Sequence, residues 1–462
     1  MYMRLENLSI CKEDILNIHK ATMKILSDVG VEFFNDKALE VFKKNGAKVL
    51  GHRVYITAEL VNKALKTAPE TFIWKGLKSD VVVGGENTII APVSGVIKIR
   101  ENDEIRTINS EDFIKITKLV ESSEVMDVHN PNIMVPLDIA EEQQRRWAMA
   151  KTLQYATKPT MGFTTTKKDA IESIKIAQEF YNNTEDHLLM GIISPLSPLA
   201  YDGVMIDSLM EYGDKNQIAM VACCSLPGAT SPVTIGGTLV VNNAEVLAGI
   251  VFAQLYKPGM AVVYGNTSGS CDMRYATPAI GSPETALISC ASAELARFYG
   301  IPSRTGGALV DSKIEDMQAG IESTVTLILP YLSGANMILH GCGILDSFNM
   351  FGYCKYIIDE QIVLMAKRLK NGIDTSEVSL AIDLIEKIGP QGQFLEEEHT
   401  AFNYRKEHFF SKLFIKEGFQ GWEKHGKQLL VEKAYKEFKK RIEKFREKEL
   451  TEEEKDILKK YL

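Results

Sequence analysis

Apolar positions along the chain fall into two textures. Residues 13–29 place Ile15, Ile18, His19, Thr22, Ile25, Leu26 and Val29 at helical spacing, and Gly30 supplies the stop. A second helical pattern covers 36–45 and closes at Gly46, RVYI (53–56) alternates as a strand, and a third helix runs from Thr57 to before Pro69. Short β-like runs follow: TFIW, VVVGG, TIIAP and GVIKIR, with Gly84-Gly85 and Asn102-Asp103 at turns. Residues 1–108 therefore read as an N-terminal α+β segment.

From about residue 110 short apolar runs recur, each followed by a helical stretch. They are VMDVHN (125–130), PTMGFT (159–164), LLMGIIS (188–194), IAMVACCS (218–225), MAVVYGN (260–266), IPSRTGG (301–307), ANMILHG (335–341) and GQFL (392–395). Strands alternating with helices imply a parallel sheet with right-handed crossovers. Eight units predict an α/β (βα)8 TIM barrel over 109–400, with a doubly wound open sheet as the rival. A polar helix over 427–462 ends a C-terminal helical extension, 401–462. Its Leu, Tyr and Phe stripe needs cover from the barrel or a second subunit, so a homo-oligomer is expected.

Composition narrows the picture. The 462 residues are 45% hydrophobic and 25% charged, which excludes disordered and fibrous classes. A net charge of −8 argues against a nucleic-acid partner. MYMRLENLSI has no signal-peptide h-region, and the most apolar stretches (188–200 and 244–256) fall short of a bilayer span, so a cytoplasmic protein without membrane contact is expected. The seven scattered cysteines fit a reduced compartment and show no metal-ligand spacing. Cys223-Cys224 reads as buried core, with no neighbouring cation in sequence to activate a thiol. The acids of VDSKIEDMQAG (310–320) could hold a metal but read more simply as a helix start.

A barrel carries its site at the C-terminal ends of its strands. Those ends offer Asn130, Phe163, Thr164, Ser194, Tyr264, Asn266, Arg304 and His340, followed by the loop GCGILDSFNMFGY (341–353). Arg304 suits a carboxylate, and His340 can add a hydrogen bond. Phe163, Tyr264, Phe348 and Phe351 can face a cation. Such a pocket fits a zwitterion. Blander readings stand beside it: Arg304 paired with a structural acid, His340 satisfied in the core, and Phe348 and Phe351 as core. No dinucleotide or Walker loop or nucleophile elbow is present, and no carboxylate pair is placed so as to name a general acid and base.

At these residues the chain resembles the trimethylamine methyltransferase family, in its non-pyrrolysine branch. The resemblance rests on 18–49 (IHKATMKILSDVGVEFFNDKALEVFKKNGAKV), ISPLSPL, GSPE, IPSRTGGALVDSKIEDMQAG, SGAN and GPQGQFLEEEHTAFNYRKEHFF. It implies a barrel that moves a methyl group from a betaine-like quaternary amine to cob(I)alamin on a separate corrinoid protein, with no resident cofactor or metal. Arg304, His340 and Phe348 match positions that hold glycine betaine in a relative. Tyr264, Phe163 and Phe351 are expected to complete the ring wall. Where a relative offers a polar Asn near the third strand, this chain has Ile192 and Ile193, which points to a more apolar substrate body. Rival readings are a barrel lyase or hydrolase acting on a carboxylate, and a non-catalytic betaine-binding protein.

Overall fold

The computed structural model describes residues 10–134 and 136–462. The N-terminal pattern folds as read. Helix Lys12–Lys24 runs into a wider turn, Ile25–Val29, stopped by Gly30 at φ +79. Asn35 and Thr57 cap the helices Asp36–Lys44 and Ala58–Leu65 through their side-chain oxygens. Val31–Phe33, Arg53–Tyr55 and Lys48–Leu50 form a small antiparallel sheet, extended by the parallel strand Ala200–Tyr201.

The barrel strands are β1 (Ile89–Ile90), β2 (Thr160–Met161), β3 (Leu189–Ile193), β4 (Ile218–Cys223), β5 (Val262–Asn266), β6 (Ser303–Gly306) and β7 (Met337–Leu339). They form one curled parallel sheet in the order β1-β7-β6-β5-β4-β3-β2. The backbone of 127–129 joins the two edges. Asp127 N–H donates to Ile90 C=O at 2.9 Å, His129 N–H to Pro159 C=O at 2.8 Å, and Met161 N–H to His129 C=O at 2.9 Å. The eighth place therefore goes to TIIAP, through β1, and not to GQFL. The segment GQFL is exposed and has no strand partner; β1 holds its place because both of its residues are buried against β7. IPSRTGG does form a strand, since burial and pairing on both sides outweigh its weak propensity.

Side chains alternate across the sheet. Met161, Met190, Ile218, Met220, Ala222, Val263, Met337 and Leu339 pack together in the lumen. Leu189, Ile193, Ala219, Val221, Val262, Tyr264 and Ile338 face the helices. The hairpin Thr71–Trp74/Val81–Gly84 inserts Phe72, Trp74 and Val83 into the lumen cluster. Trp74 Nε1 donates to Leu188 C=O, just ahead of β3, at 3.1 Å. The N-terminal end of the barrel is thus plugged, which leaves the C-terminal end as its mouth.

Helix Ile235–Tyr256 is long and apolar enough to cross a membrane by length and composition, contrary to the sequence reading, but most of it is buried within the fold. The C-terminal pattern splits into Leu430–Lys444 and Glu452–Lys459, because Thr451 and Glu454 form a capping box that restarts the helix. The intervening Phe445 packs edge-on against Tyr155 at 6.3 Å. Phe438 stacks on Tyr353 at 4.1 Å, and Arg441 pairs with buried Glu360. The chain covers its own stripe here, so the stripe gives no reason for a second subunit.

Candidate active site

Arg304 lies on β6 in register with Gly265 of β5 and Met337 of β7. Met337 is a lumen residue, so Arg304 also projects inward. The guanidinium is buried. Its Nη1 donates to Asn266 C=O at 2.8 Å and to Thr267 Oγ1 at 2.5 Å. Nε is buried without a partner, and among the described residues no carboxylate pairs with the group. Burial pushes its pKa down to about 10. One edge of the fork is thus fixed, and the other edge, Nε and Nη2, is left unused. That second edge is the one a carboxylate would take with two parallel hydrogen bonds.

His340 ends β7 at φ +62. Its Nδ1 accepts from Ser94 N–H at 3.3 Å. A backbone N–H can only donate, so the ring proton sits on Nε2. Burial, reinforced by the Arg304 charge, holds the pKa well below the ordinary 6.5. His340 is therefore a neutral donor. Its ring stands 4.8 Å from that of Phe348. Asn266, Thr267, Ser268, His340 and Phe348 line a narrow cleft at the barrel mouth.

Phe348 is positioned by its loop. Asp346, Ser347 and Phe348 all take positive φ, at 52, 50 and 78. Ser347 Oγ donates to Asp311 Oδ1 at 2.6 Å, and the same carboxylate accepts Ile280 and Gly281 N–H. Asp311 thereby ties three mouth loops together. Asp316 caps the helix Met317–Leu332, as the motif predicts.

The other expected ring residues lie elsewhere. Tyr264 faces the helices, with its hydroxyl donating to Asn243 Oδ1 at 3.0 Å. Phe163 sits among Arg145, Met149 and Ile176, between the helices Glu141–Tyr155 and Lys167–Tyr181. Phe351 packs on Tyr353 and Tyr356 in the core. Asn130 and Thr164 bond backbone carbonyls, and Ser194 is exposed.

Two residues at the mouth escaped the sequence reading. Cys224 is exposed, unlike Cys223, and its pKa is raised by the surrounding protein but lowered by Arg304. The thiol thus does have a neighbouring cation, one supplied by the fold. Glu245 is buried, and burial raises its pKa. It accepts from Ser197 Oγ, Cys223 Sγ and Leu199 N–H, each at 2.7 Å. This carboxylate anchors the loop after β3. Among the described residues no three His, Cys, Asp or Glu side chains are grouped to hold a metal.

Residues 3–462 match the trimethylamine methyltransferase family. The chain belongs to that family. Among its relatives, the glycine betaine methyltransferase of Desulfitobacterium hafniense (strain Y51) is 39% identical over 90% of this chain and 88% of its own. The proline betaine:corrinoid methyltransferase of Eubacterium limosum is 35% identical over 98% and 96%. The L-carnitine:corrinoid methyltransferase of the same organism is 33% identical over the same shares. The fold is that of the Methanosarcina barkeri monomethylamine methyltransferase, with a TM-score of 0.54 at 14% identity, covering 95% of this chain and 94% of that one. Within the trimethylamine methyltransferase frame, the mouth of this member brings Arg304, His340 and Phe348 together and leaves Tyr264, Phe163 and Phe351 outside.

Proposed function

We propose that the protein transfers a methyl group from a carboxylate-bearing quaternary amine to the corrinoid of a separate protein. The observation that carries this reading is the unused Nε–Nη2 edge of buried Arg304, beside a neutral His340 donor and the Phe348 ring. The three betaine and carnitine methyltransferases named above align with at least 90% of this chain.

The carboxylate would take the free edge of Arg304 and the Nε2–H of His340. The ammonium would then lie against Phe348, whose face attracts a cation. The reduced corrinoid supplies the electron pair that accepts the methyl group. The nitrogen keeps the electrons of the broken C–N bond and leaves as a neutral tertiary amine, so no proton transfer is needed. The work of this chain is orientation and exclusion of water. That agrees with a mouth built of binding groups rather than an acid–base pair. Ile192, half-buried on the lumen side, favours an apolar substrate body. Leu196, Val233, Met273 and Tyr275, exposed on three successive mouth loops, offer a surface for the corrinoid protein.

The test is a panel of quaternary amines incubated with the protein and cob(I)alamin, followed by the cobalt spectrum. Methylcobalamin should form with betaines and not with choline, which lacks the carboxylate. Formation with choline alone, or with no amine, would overturn the reading.

A further inference from the structure

Residues 371–410 contain no buried side chain. They nevertheless form the helices Glu377–Leu380, Ile382–Ile388 and Glu398–Glu407. Ten large apolar residues in the segment stand exposed, among them Ile373 at 88%, Leu395 at 78% and Phe402 at 70%. At about 100 Å² each they offer on the order of 1,000 Å² of apolar surface, above the roughly 300–600 Å² of the largest patch on an ordinary monomer. A disordered segment would be poor in such residues. This one is an ordered arm that lacks its cover.

Both roots of the arm lie on one helix. It leaves from the end of Tyr353–Lys370 and returns where Ser411 Oγ donates to Gln361 Oε1 at 2.7 Å. The other face of that helix lines an open apolar groove, with Ile358 and Ile362 alongside Ile321, Phe414 and Leu429. Phe414, three residues after Ser411, lines this groove, so the root of the arm adjoins it.

We infer that this face is an interface with a second copy of the chain, in which each arm lies in its partner's groove. A two-fold axis beside Tyr353–Lys370 would exchange the arms and cover both features at once. The available area exceeds the roughly 800 Å² per partner of a stable interface. A docked corrinoid protein is the other occupant, and the methyl-transfer readout of the experiment distinguishes it.

The experiment is light-scattering mass measurement of the full-length protein at micromolar concentration. The wild type should have at least twice the chain mass. L395D/F402D on the arm, and separately M317D at the groove edge, should each halve the mass while keeping a cooperative melt. Hydrogen exchange on the wild type should show residues 371–410 losing protection on dilution. A monomeric wild type would overturn the inference, as would a mass unmoved by both variants. A monomer whose arm variant fails to methylate a corrinoid protein would reassign the arm to that carrier.

Discussion

The rings of His340 and Phe348 stand 4.8 Å apart, tilted by 53°, and both residues occupy the left-handed backbone region. Two side chains that meet the proposed ligand at opposite ends are therefore held by conformations that bulky residues rarely adopt. Such strain costs about 1–3 kcal/mol per residue and persists only where the surroundings impose it.

That strain makes Phe348 separable from its position. Phe348→Ala should raise the betaine KM about tenfold through loss of the ring face. Phe348→Gly should raise KM equally but melt higher than the Ala variant, because glycine accepts φ +78 without penalty. Steady-state kinetics and thermal melts check both. An unchanged KM removes Phe348 from the pocket.

Arg304 separates binding from stability. Arg304→Met should lower betaine affinity at least a hundredfold, about 3 kcal/mol, by removing a charge-assisted pair. Removing an uncompensated buried charge should offset the lost bonds to Asn266 and Thr267, so the ligand-free protein should melt no lower than wild type. Calorimetric titration and a melt of the free protein decide. A large drop in melting temperature with affinity kept would make Arg304 a structural residue.

Cys224 reports occupancy of the mouth. Its exposed thiol lies close enough to Arg304 to feel that charge. Alkylation by iodoacetamide should slow methyl transfer, and a saturating betaine should protect the thiol. Peptide mass spectrometry measures the modified fraction; equal labelling with and without ligand would separate Cys224 from the site.

The histidines set the acid limit. The folded pKa of His340 lies well below 6.5, and burial lowers that of His129 as well. Below about pH 6.5 the unfolded chain binds protons that the folded chain refuses, so stability falls as pH drops from neutrality. His340→Gln, which keeps a neutral donor, should flatten the melting-temperature profile between pH 6.5 and 5. A profile as steep as wild type would assign the loss to other groups.

Much of this architecture was legible because parallel barrel strands are continuous apolar runs. β3, β4, β5 and β7 stand out for that reason. β1 did not, because it is two residues long and its neighbours belong to hairpins. Within the site, Arg304 and His340 end up together because they sit on adjacent strands. Tyr264 fails by parity: Val263 faces the lumen, so its neighbour must face the helices. Phe163 lies just past β2 and packs between two helices, and Phe351 lies in the strand Met350–Gly352, paired with Ile99 and Ile344; both placements depend on distant partners that no local pattern reveals. The environment of Cys224 depends on an arginine far along the chain, which a search among sequence neighbours cannot reach.

The four lumen methionines, Met161, Met190, Met220 and Met337, have a consequence for evolution. Unbranched thioethers re-form around a new shape at little cost, whereas the Arg304 fork and the His340 donor permit one geometry. In the proposed binding mode a hard end fixes the chemical class, above a lumen packed with side chains that can yield. A lineage built on such a barrel can change the body of its substrate by single replacements at the rim, without rebuilding the core beneath.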